Sequence, residues 1–119
     1  MVYGYYKDAI RTKDTLKILG IELSLQAKGT GLRGNDGVVL QTRSLDIQCE
    51  GTGVYTEKSD KKNKGFVDIS GGSVSIIAGE YGINASENVY IRDCKADVFG
   101  VVQNITCLGE QYIEEGCLQ

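Results

Sequence analysis

The sequence predicts an all-β fold, a right-handed parallel β-helix (a solenoid) with about 22 residues in each coil, from three observations. Residues 29–32 read GTGL and residues 51–54 read GTGV, so position 51 repeats position 29. Aliphatic residues recur at this same offset along most of the chain. The 119 residues include 16 glycines but no proline, so the chain makes many bends without a residue that irregular loops normally use.

Each coil contains three short runs in which apolar and polar residues alternate, as in 66–70, 73–78 and 82–86 of the third coil. Alternation with a period of two is typical of β-strands whose alternate side chains face inward. Three such strands per coil indicate coils stacked in parallel, each hydrogen-bonded to the next. The columns expected inside hold Leu16, Val38, Val67 and Val89; Ile18, Leu40, Ile69, Ile91 and Ile113; Leu23, Leu45, Val74, Ala96 and Leu118; Leu25, Ile47, Ile76 and Val98; and Leu32, Val54, Ile83 and Ile105.

The repeat needs one adjustment, between Val38 and Val67, where the step is seven residues longer than one coil. The polar stretch 57–65, EKSDKKNKG, accounts for it as an inserted loop. We therefore predict one domain over residues 1–119 with roughly four to five coils. Residues 1–15 form a partial first coil or N-terminal cap, and residues 111–119 begin an incomplete last coil.

The corners between strands also repeat. One corner column reads Gly31, Gly53, Gly82 and Asn104. Because glycine adopts left-handed backbone angles freely and asparagine tolerates them best among the other residues, we predict a left-handed corner there. The winding is expected to be right-handed because parallel crossover connections strongly prefer that hand.

Composition excludes several classes of function. The chain has no histidine, which argues against histidine-dependent hydrolases and zinc enzymes. Its net charge of −3 and the absence of a long apolar run predict neither nucleic-acid binding nor membrane insertion. The opening stretch MVYGYYKDAIRTKD carries charges throughout and does not form a signal peptide, so the compartment stays open. No capping helix is evident at either end, so association of copies through open solenoid ends is expected to be feasible.

The third coil, GFVDISGGSVSIIAGEYGINAS, resembles a known repeat. It is similar to coils of the carbohydrate-binding domain-containing family of bacterial cell-surface β-helix proteins, which are themselves pectate lyase-like. The matching residues are Ile69-Ser70-Gly71-Gly72, Ile76, Ala78-Gly79, Gly82-Ile83 and Ala85. The resemblance covers roughly residues 16–105 and implies binding of acidic plant polysaccharides, an extracellular or cell-surface location, and calcium.

One corner departs from the family pattern. The acidic G-D-D-G-I corner of the family reads Gly79-Glu80-Tyr81-Gly82-Ile83 here, and Gly-Thr-Gly in two other coils. Calcium needs several oxygen ligands, and most of the carboxylates are replaced. We therefore predict no metal site and no cofactor. The resemblance, taken alone, implies calcium.

Aromatic and basic residues are the candidates for carbohydrate binding, because sugar rings stack on exposed aromatic faces and cations attract polyuronates. Tyr90 and Tyr112 are one repeat apart and should stack on adjacent coils, either as a sugar platform or as a stabilising ladder. The full candidate set is Tyr55, Tyr81, Tyr90, Tyr112, Lys61 and Lys62.

No residues are predicted to be catalytic. Asp46 and Asp97 share an outward column but lie two coils apart, about 10 Å at normal strand spacing. That separation is too wide for a shared calcium ion and argues against the carboxylate pair of a retaining glycosidase, while the wider spacing of an inverting glycosidase is left open. Arg43 and Arg92 lie in different columns, without a carboxylate cluster.

The four cysteines fall into two pairs of positions. Cys49 and Cys107 occupy inward columns of small residues and are expected to pack in the core. Cys94 and Cys117 lie one coil and one position apart, so they are either a disulfide or two free thiols.

The leading hypothesis is a non-catalytic β-helix that binds an acidic or plant-type polysaccharide. The alternatives are a structural solenoid module that assembles end to end and a degenerate polysaccharide lyase. Whether the protein is an enzyme is left open, with a non-catalytic role favoured.

Overall fold

A computed structural model describes residues 2–4, 9–57 and 64–118. The described residues form fifteen short strands joined by tight corners. The strands are β1 (Val2–Gly4), β2 (Ile10–Thr12), β3 (Thr15–Leu19), β4 (Glu22–Ala27), β5 (Leu32–Gly34), β6 (Gly37–Gln41), β7 (Ser44–Cys49), β8 (Val54–Tyr55), β9 (Phe66–Ser70), β10 (Ser73–Ala78), β11 (Tyr81–Ala85), β12 (Val89–Arg92), β13 (Lys95–Gly100), β14 (Gln103–Cys107) and β15 (Gln111–Ile113).

The strands form three five-stranded parallel sheets, and each coil contributes one strand to each sheet. Sheet A has the order β1-β4-β7-β10-β13, sheet B β14-β11-β8-β5-β2, and sheet C β15-β12-β9-β6-β3. The register pairs Ile47 with Ile76 across β7 and β10, and Val38 with Val67 across β6 and β9. The predicted parallel β-solenoid, with three strands in each coil of about 22 residues, is therefore confirmed.

The core is a set of stacked aliphatic columns. The side chains of Leu40, Ile47, Ile76 and Ile91 have no measurable exposure, and their columns follow the predicted register. Each inward side chain packs on its equivalents in the coils above and below, so one continuous core runs along the solenoid.

The left-handed corner lies elsewhere than predicted. Gly20, Gly71 and Asp93 have φ angles of 67°, 81° and 51°, whereas the Gly31 column does not have positive φ angles. A Cβ atom on Gly53 would lie 2.3 Å from Cγ2 of Ile76 and 2.5 Å from the carbonyl oxygen of Gly82. The Gly31, Gly53 and Gly82 column is therefore required by close approach of neighbouring coils, not by backbone angle.

Asn104 ends that column for a different reason. Its Oδ1 accepts a hydrogen bond of 3.1 Å from the backbone N–H of Gly100. The asparagine thus closes the last corner through its side chain and does not replace glycine at a left-handed position.

The two ends of the insertion meet on sheet B. Thr56 Oγ1 donates to the carbonyl of Gly65 (2.5 Å) and accepts from the N–H of Ser86 (3.0 Å). Ser86 Oγ donates to the carbonyl of Glu57 at 2.6 Å. Residues 58–63 lie outside the described part, so the loop predicted over 57–65 stays a prediction.

The last coil shows one departure from the predicted core. Leu118 pairs with Ala96 as the column requires, yet it is 40% exposed, while the preceding Cys117 is 3% exposed. Gly116, with a φ of 87°, directly precedes Cys117. The described residues include no helix that could cross a membrane.

Candidate functional site

The outer face of sheet B presents one column of polar side chains. Arg11, Arg33 and Tyr55 are aligned on β2, β5 and β8, and Asn84 and Thr106 continue the column on β11 and β14. They face outward because their neighbours Ile10, Leu32, Val54, Ile83 and Ile105 fill the inward column. Strand pairing therefore brings together residues that are a full repeat apart in the sequence.

Arg33 lies over the ring of Tyr55, with its Cζ atom 4.9 Å from the ring centroid. Its Nε atom donates to Oδ1 of Asn35 at 3.2 Å, and Nη2 is 3.7 Å from Oε2 of Glu57. These three contacts fix the guanidinium plane, which has five N–H donors. The arrangement holds a cation and an aromatic ring at one place on the surface.

An open groove of ≈ 460 Å³ runs beside this pair, across three coils at the corner between sheets A and B. Small residues at the corner leave the space, and a Cβ atom on Gly51 would lie 2.7 Å from the carbonyl oxygen of Gly29. We call this the Arg33–Tyr55 groove. Its lining residues are Lys28, Gly29, Thr30, Arg33, Glu50, Gly51, Thr52, Tyr55 and Glu80.

The groove combines charges of both signs. Lys28 and Arg33 provide positive charge, and the exposed side chains of Glu50 and Glu80 provide carboxylates. Arginine binds a carboxylate through two parallel hydrogen bonds, and glutamates accept hydrogen bonds from hydroxyl groups. A tyrosine ring offers apolar surface beside these polar groups. Such a surface can hold a hydroxylated, carboxylated polymer.

The predicted carbohydrate-binding residues do not lie together in the structure. Tyr55 lies in the groove, whereas Tyr81 begins β11 opposite Gln103 and does not line the groove. Lys61 and Lys62 lie outside the described residues, so their role stays a prediction. The described Glu57 beside Arg33 immediately precedes their lysine-rich stretch in the sequence.

Tyr90 and Tyr112 lie on a different face, the outer face of sheet C. Their rings are stacked with centroids 5.2 Å apart and an interplanar angle of 9°. Tyr90 Oη accepts from Nδ2 of Asn88, and Tyr112 Oη donates to Oε2 of Glu110 at 2.5 Å. That hydrogen bond and the negative charge of Glu110 raise the pKa of Tyr112. The predicted stacking is present, but the pair does not share a groove with Tyr55.

The outer face of sheet A has the predicted acidic column. Ser75 lies between Asp46 and Asp97, in register with both. These residues line a shallow groove of ≈ 400 Å³ together with Lys95. The two carboxylates are thus two coils apart, as the sequence predicts.

The described residues do not offer a carboxylate-rich metal site. Calcium takes six to eight oxygen ligands. No group of three or more cysteine, aspartate or glutamate side chains that could hold a metal occurs within 2–4, 9–57 and 64–118. The described donor set therefore does not fit the calcium that the resemblance implied.

The structure describes all four cysteines. Cys49 and Cys107 are only partly buried, and their Sγ atoms donate to the carbonyls of Gly51 (3.6 Å) and Gly109 (3.5 Å). Burial raises the pKa of Cys49 to about 11, and the charge of Glu80 adds to this. Burial, followed by the neighbouring Cys117, raises the pKa of Cys94 to about 11. The structure brings Cys94 and Cys117 together, and the disulfide stays a prediction.

Sequence reasoning missed Arg33, the best-positioned cation of the described groove. The repeat does indicate this residue, because Arg33 precedes Tyr55 by one repeat and therefore shares its column. The two arginines that the sequence singled out have other roles: Arg43 is exposed at a corner, and Arg92 pairs with Asp68 at 3.1 Å.

Comparisons with known proteins give two matches. A family model described as carbohydrate-binding domain-containing protein matches residues 1–107. Among solved structures, the chain is similar to the polysaccharide lyase-like protein from C. thermocellum, solved as a gadolinium derivative, with 31% identity and a TM-score of 0.88. That match covers 94% of this chain and 45% of the other, so the chain spans less than half of that protein. No curated protein matches the sequence.

Proposed function

We propose, because the chain belongs to the carbohydrate-binding domain-containing protein family, that it binds an acidic polysaccharide of the plant type in the Arg33–Tyr55 groove and does not cleave it. The observation that carries the proposal is the guanidinium of Arg33 held 4.9 Å from the Tyr55 ring beside an open groove. A fixed guanidinium selects for carboxylates, and the aromatic ring adds apolar contact with a sugar.

The open shape of the groove favours a polymer as the ligand. The groove crosses three coils and is not closed by a lid of described residues, so a chain can lie along it. Lys28 and Arg33 lie on the same coil, at the corner after β4 and on β5, and both line the groove, so each can contact an acidic group of the polymer. The lysines at 58, 61, 62 and 64 add positive charge to the segment that follows Glu57 in the sequence.

A non-catalytic role is favoured by the chemistry of the groove residues. Arginine stays protonated in proteins and is therefore suited to holding an anion and poorly suited to removing a proton. The chain contains no histidine to act as a base near neutral pH. A degenerate polysaccharide lyase is the alternative that the name of the solved relative suggests.

The test is titration calorimetry with two forms of one polymer, polygalacturonate and its fully methyl-esterified form. The wild-type chain should bind the free acid at least tenfold more tightly, because esterification removes the carboxylates that Arg33 recognises. Arg33→Ala should weaken binding by about tenfold to a hundredfold, the loss typical of a charged hydrogen bond. Arg33→Lys should restore only part of the affinity, because lysine lacks the planar fork.

Lys95→Ala on the outer face of sheet A is the matched control, since it removes one exposed positive charge away from the groove. Equal binding of the two polymers, or an Arg33→Ala variant with wild-type affinity, would rule out the proposed site. The same mixtures are assayed for unsaturated uronides, whose release would establish the lyase alternative.

A structural role is the second candidate function. It is favoured by Val101, Val102 and Leu108, large aliphatic side chains that are all exposed in the last coil. Large aliphatic side chains that are exposed on the surface are typical of a contact region.

A further inference from the structure

The charges of the Arg33–Tyr55 groove are separated along the solenoid axis. Its cations, Lys28 and Arg33, lie on one coil. Glu50 lies on the next coil, where its N–H donates to the carbonyl of the residue before Lys28 at 3.2 Å. Glu80 lies one coil further, where its N–H donates to the carbonyl of Gly51 at 3.1 Å. The groove is therefore basic at its first coil and acidic at its second and third.

The two glutamates are not neutralised by the part of the chain that the structure describes. Glu50 and Glu80 are exposed, and neither carboxylate forms an ion pair or a hydrogen bond with a described residue. Burial raises the pKa of Cys49, and the charge of Glu80 adds to this, so the negative charge of the third coil is felt at the second. The groove thus carries as many unpaired carboxylates as it has cations.

A polymer with a carboxylate on every sugar does not match this order of charges. Neighbouring coils are about 4.8 Å apart, which is comparable with the length of one sugar unit in an extended polymer. A carboxylate beside Arg33 is attracted, whereas the carboxylates of the next sugars along the axis come close to Glu50 and Glu80. Like charges that face one another across an interface weaken binding.

An uncharged sugar fits the acidic coils of the groove better. Hydroxyl groups donate hydrogen bonds to carboxylates, and such charge-assisted bonds are stronger than those between neutral groups. The Tyr55 ring on the second coil adds apolar surface for the carbon face of a sugar. A methyl ester on the sugar removes the repelled charge and leaves the hydroxyl groups in place.

We propose that the groove selects acidic polysaccharides in which a free carboxylate is followed by uncharged sugars, as in partially methyl-esterified polygalacturonate. Lys28 and Arg33 hold the free carboxylate, and Glu50 and Glu80 disfavour further ones on the next two sugars. This selection rests on the acidic-polysaccharide binding proposed above, which requires only the basic coil. Selection can therefore be lost while binding through Arg33 remains.

The first test is a heteronuclear NMR titration of the wild-type chain with trigalacturonates of defined esterification. One ligand has three free carboxylates, and two others have a single free carboxylate at either end and methyl esters on the remaining sugars. The better of the two singly acidic trimers should bind about threefold to tenfold more tightly than the fully acidic one, the scale of two solvent-exposed charge contacts. It has fewer anionic groups, so the gain cannot come from additional carboxylates.

A double variant, Glu50→Gln with Glu80→Gln, provides the decisive test. Glutamine keeps a hydrogen-bonding side chain of the same length and removes the charge. The variant should bind the fully acidic trimer about threefold to tenfold more tightly than wild type does, because two repulsive contacts are gone. The gain should disappear in 1 M NaCl, where the screening length falls to about 3 Å from about 10 Å at 0.1 M.

The matched control carries Glu22→Gln and Glu115→Gln, which remove two exposed carboxylates that do not line the groove. It should keep the wild-type preference for the singly acidic trimer. An equal gain in the control would assign the effect to net charge and overturn selection by the groove. Circular dichroism confirms that both double variants are folded.

Arg33→Ala separates the selection from the binding on which it rests. Without the guanidinium, affinity for every acidic trimer should fall, whereas the loss of Glu50 and Glu80 changes only the order of affinities. Binding that depends on Arg33 but shows no preference among the trimers would overturn the selection alone. Binding that does not depend on Arg33, or no binding of any trimer, would overturn the selection together with the proposed site.

Discussion

The Cζ atom of Arg33 lies 4.9 Å from the centroid of the Tyr55 ring, although the two residues are a full repeat apart in the sequence. The contact arises because β5 and β8 pair in register and both side chains point out of sheet B. The ring supports the guanidinium from one side, while Asn35 and Glu57 hold its edge. A cation is thereby fixed at the groove without being buried.

A double-mutant cycle measures this contact. Arg33→Ala and Tyr55→Ala should each lower the free energy of unfolding, and the double variant should lose about 0.5–1 kcal/mol less than the sum, as expected for a partly exposed cation–π pair. Urea denaturation measures the loss of unfolding free energy in the two single variants and in the double variant. Strictly additive losses would show that the two side chains do not stabilise one another.

Gly53→Ala should be among the most damaging small substitutions in the described chain. The added methyl group would lie 2.3 Å from Cγ2 of Ile76 and 2.5 Å from the carbonyl of Gly82, so neighbouring coils must separate. We expect a loss of about 2–3 kcal/mol or more in urea denaturation. Gly20→Ala is the control: it meets nothing within 4 Å and bears only the cost of its φ of 67°, about 1 kcal/mol. Equal losses would contradict the steric account.

The repeat explains why the fold could be predicted and why part of the site could not. Strand register follows from spacing alone, so the aliphatic columns and the Tyr90–Tyr112 stack were placed correctly. A column of glycines can be required either by left-handed backbone angles or by the close approach of neighbouring coils. The sequence does not distinguish these two causes. The left-handed corner was therefore assigned to Gly31 and not to Gly20 and Asp93. Arg33 was missed because the basic candidates were the lysines of the inserted loop and not the residues in the column of Tyr55.

Cys94 and Cys117 should form a disulfide when oxidised glutathione is supplied. Both thiols lose a hydrogen, one bond forms between the sulfur atoms, and the glutathione disulfide is reduced to two thiols. The reaction should accelerate as pH rises toward 11, because the raised pKa of Cys94 leaves little reactive thiolate at neutral pH. Non-reducing peptide mapping identifies the link.

Cys94→Ser removes the predicted link, and Cys107→Ser is the control, since Cys107 lies on sheet B. A wild-type chain that forms only mixed glutathione adducts at Cys94 would contradict the pairing.

Alkaline pH should destabilise the fold partly through Cys49. Burial raises the pKa of this thiol from 9.0 to about 11 in the folded chain, so the folded state holds its proton more tightly than the unfolded state. The associated stability is fully present below pH 9 and is lost as the pH rises through 11. Melting temperatures between pH 8 and 11 should therefore fall less steeply for Cys49→Ala, which matches Ala27 and Ala78 in its column. Melting temperatures that fall equally steeply with pH in wild type and Cys49→Ala would show that Cys49 does not contribute to the loss of stability.

The stacked tyrosines should stabilise the last coil and leave sugar binding unchanged. Tyr112→Ala removes a ring that is 5.2 Å from Tyr90 but still 49% exposed, so we expect a loss of about 1 kcal/mol in the free energy of unfolding. Tyr112→Phe keeps the ring and loses only the hydrogen bond to Glu110, so its loss should be smaller. Because the pair lies on sheet C, both variants should bind polygalacturonate as wild type does. A tenfold weaker affinity for Tyr112→Ala would instead make the stack a sugar platform and would move the binding site from sheet B to sheet C.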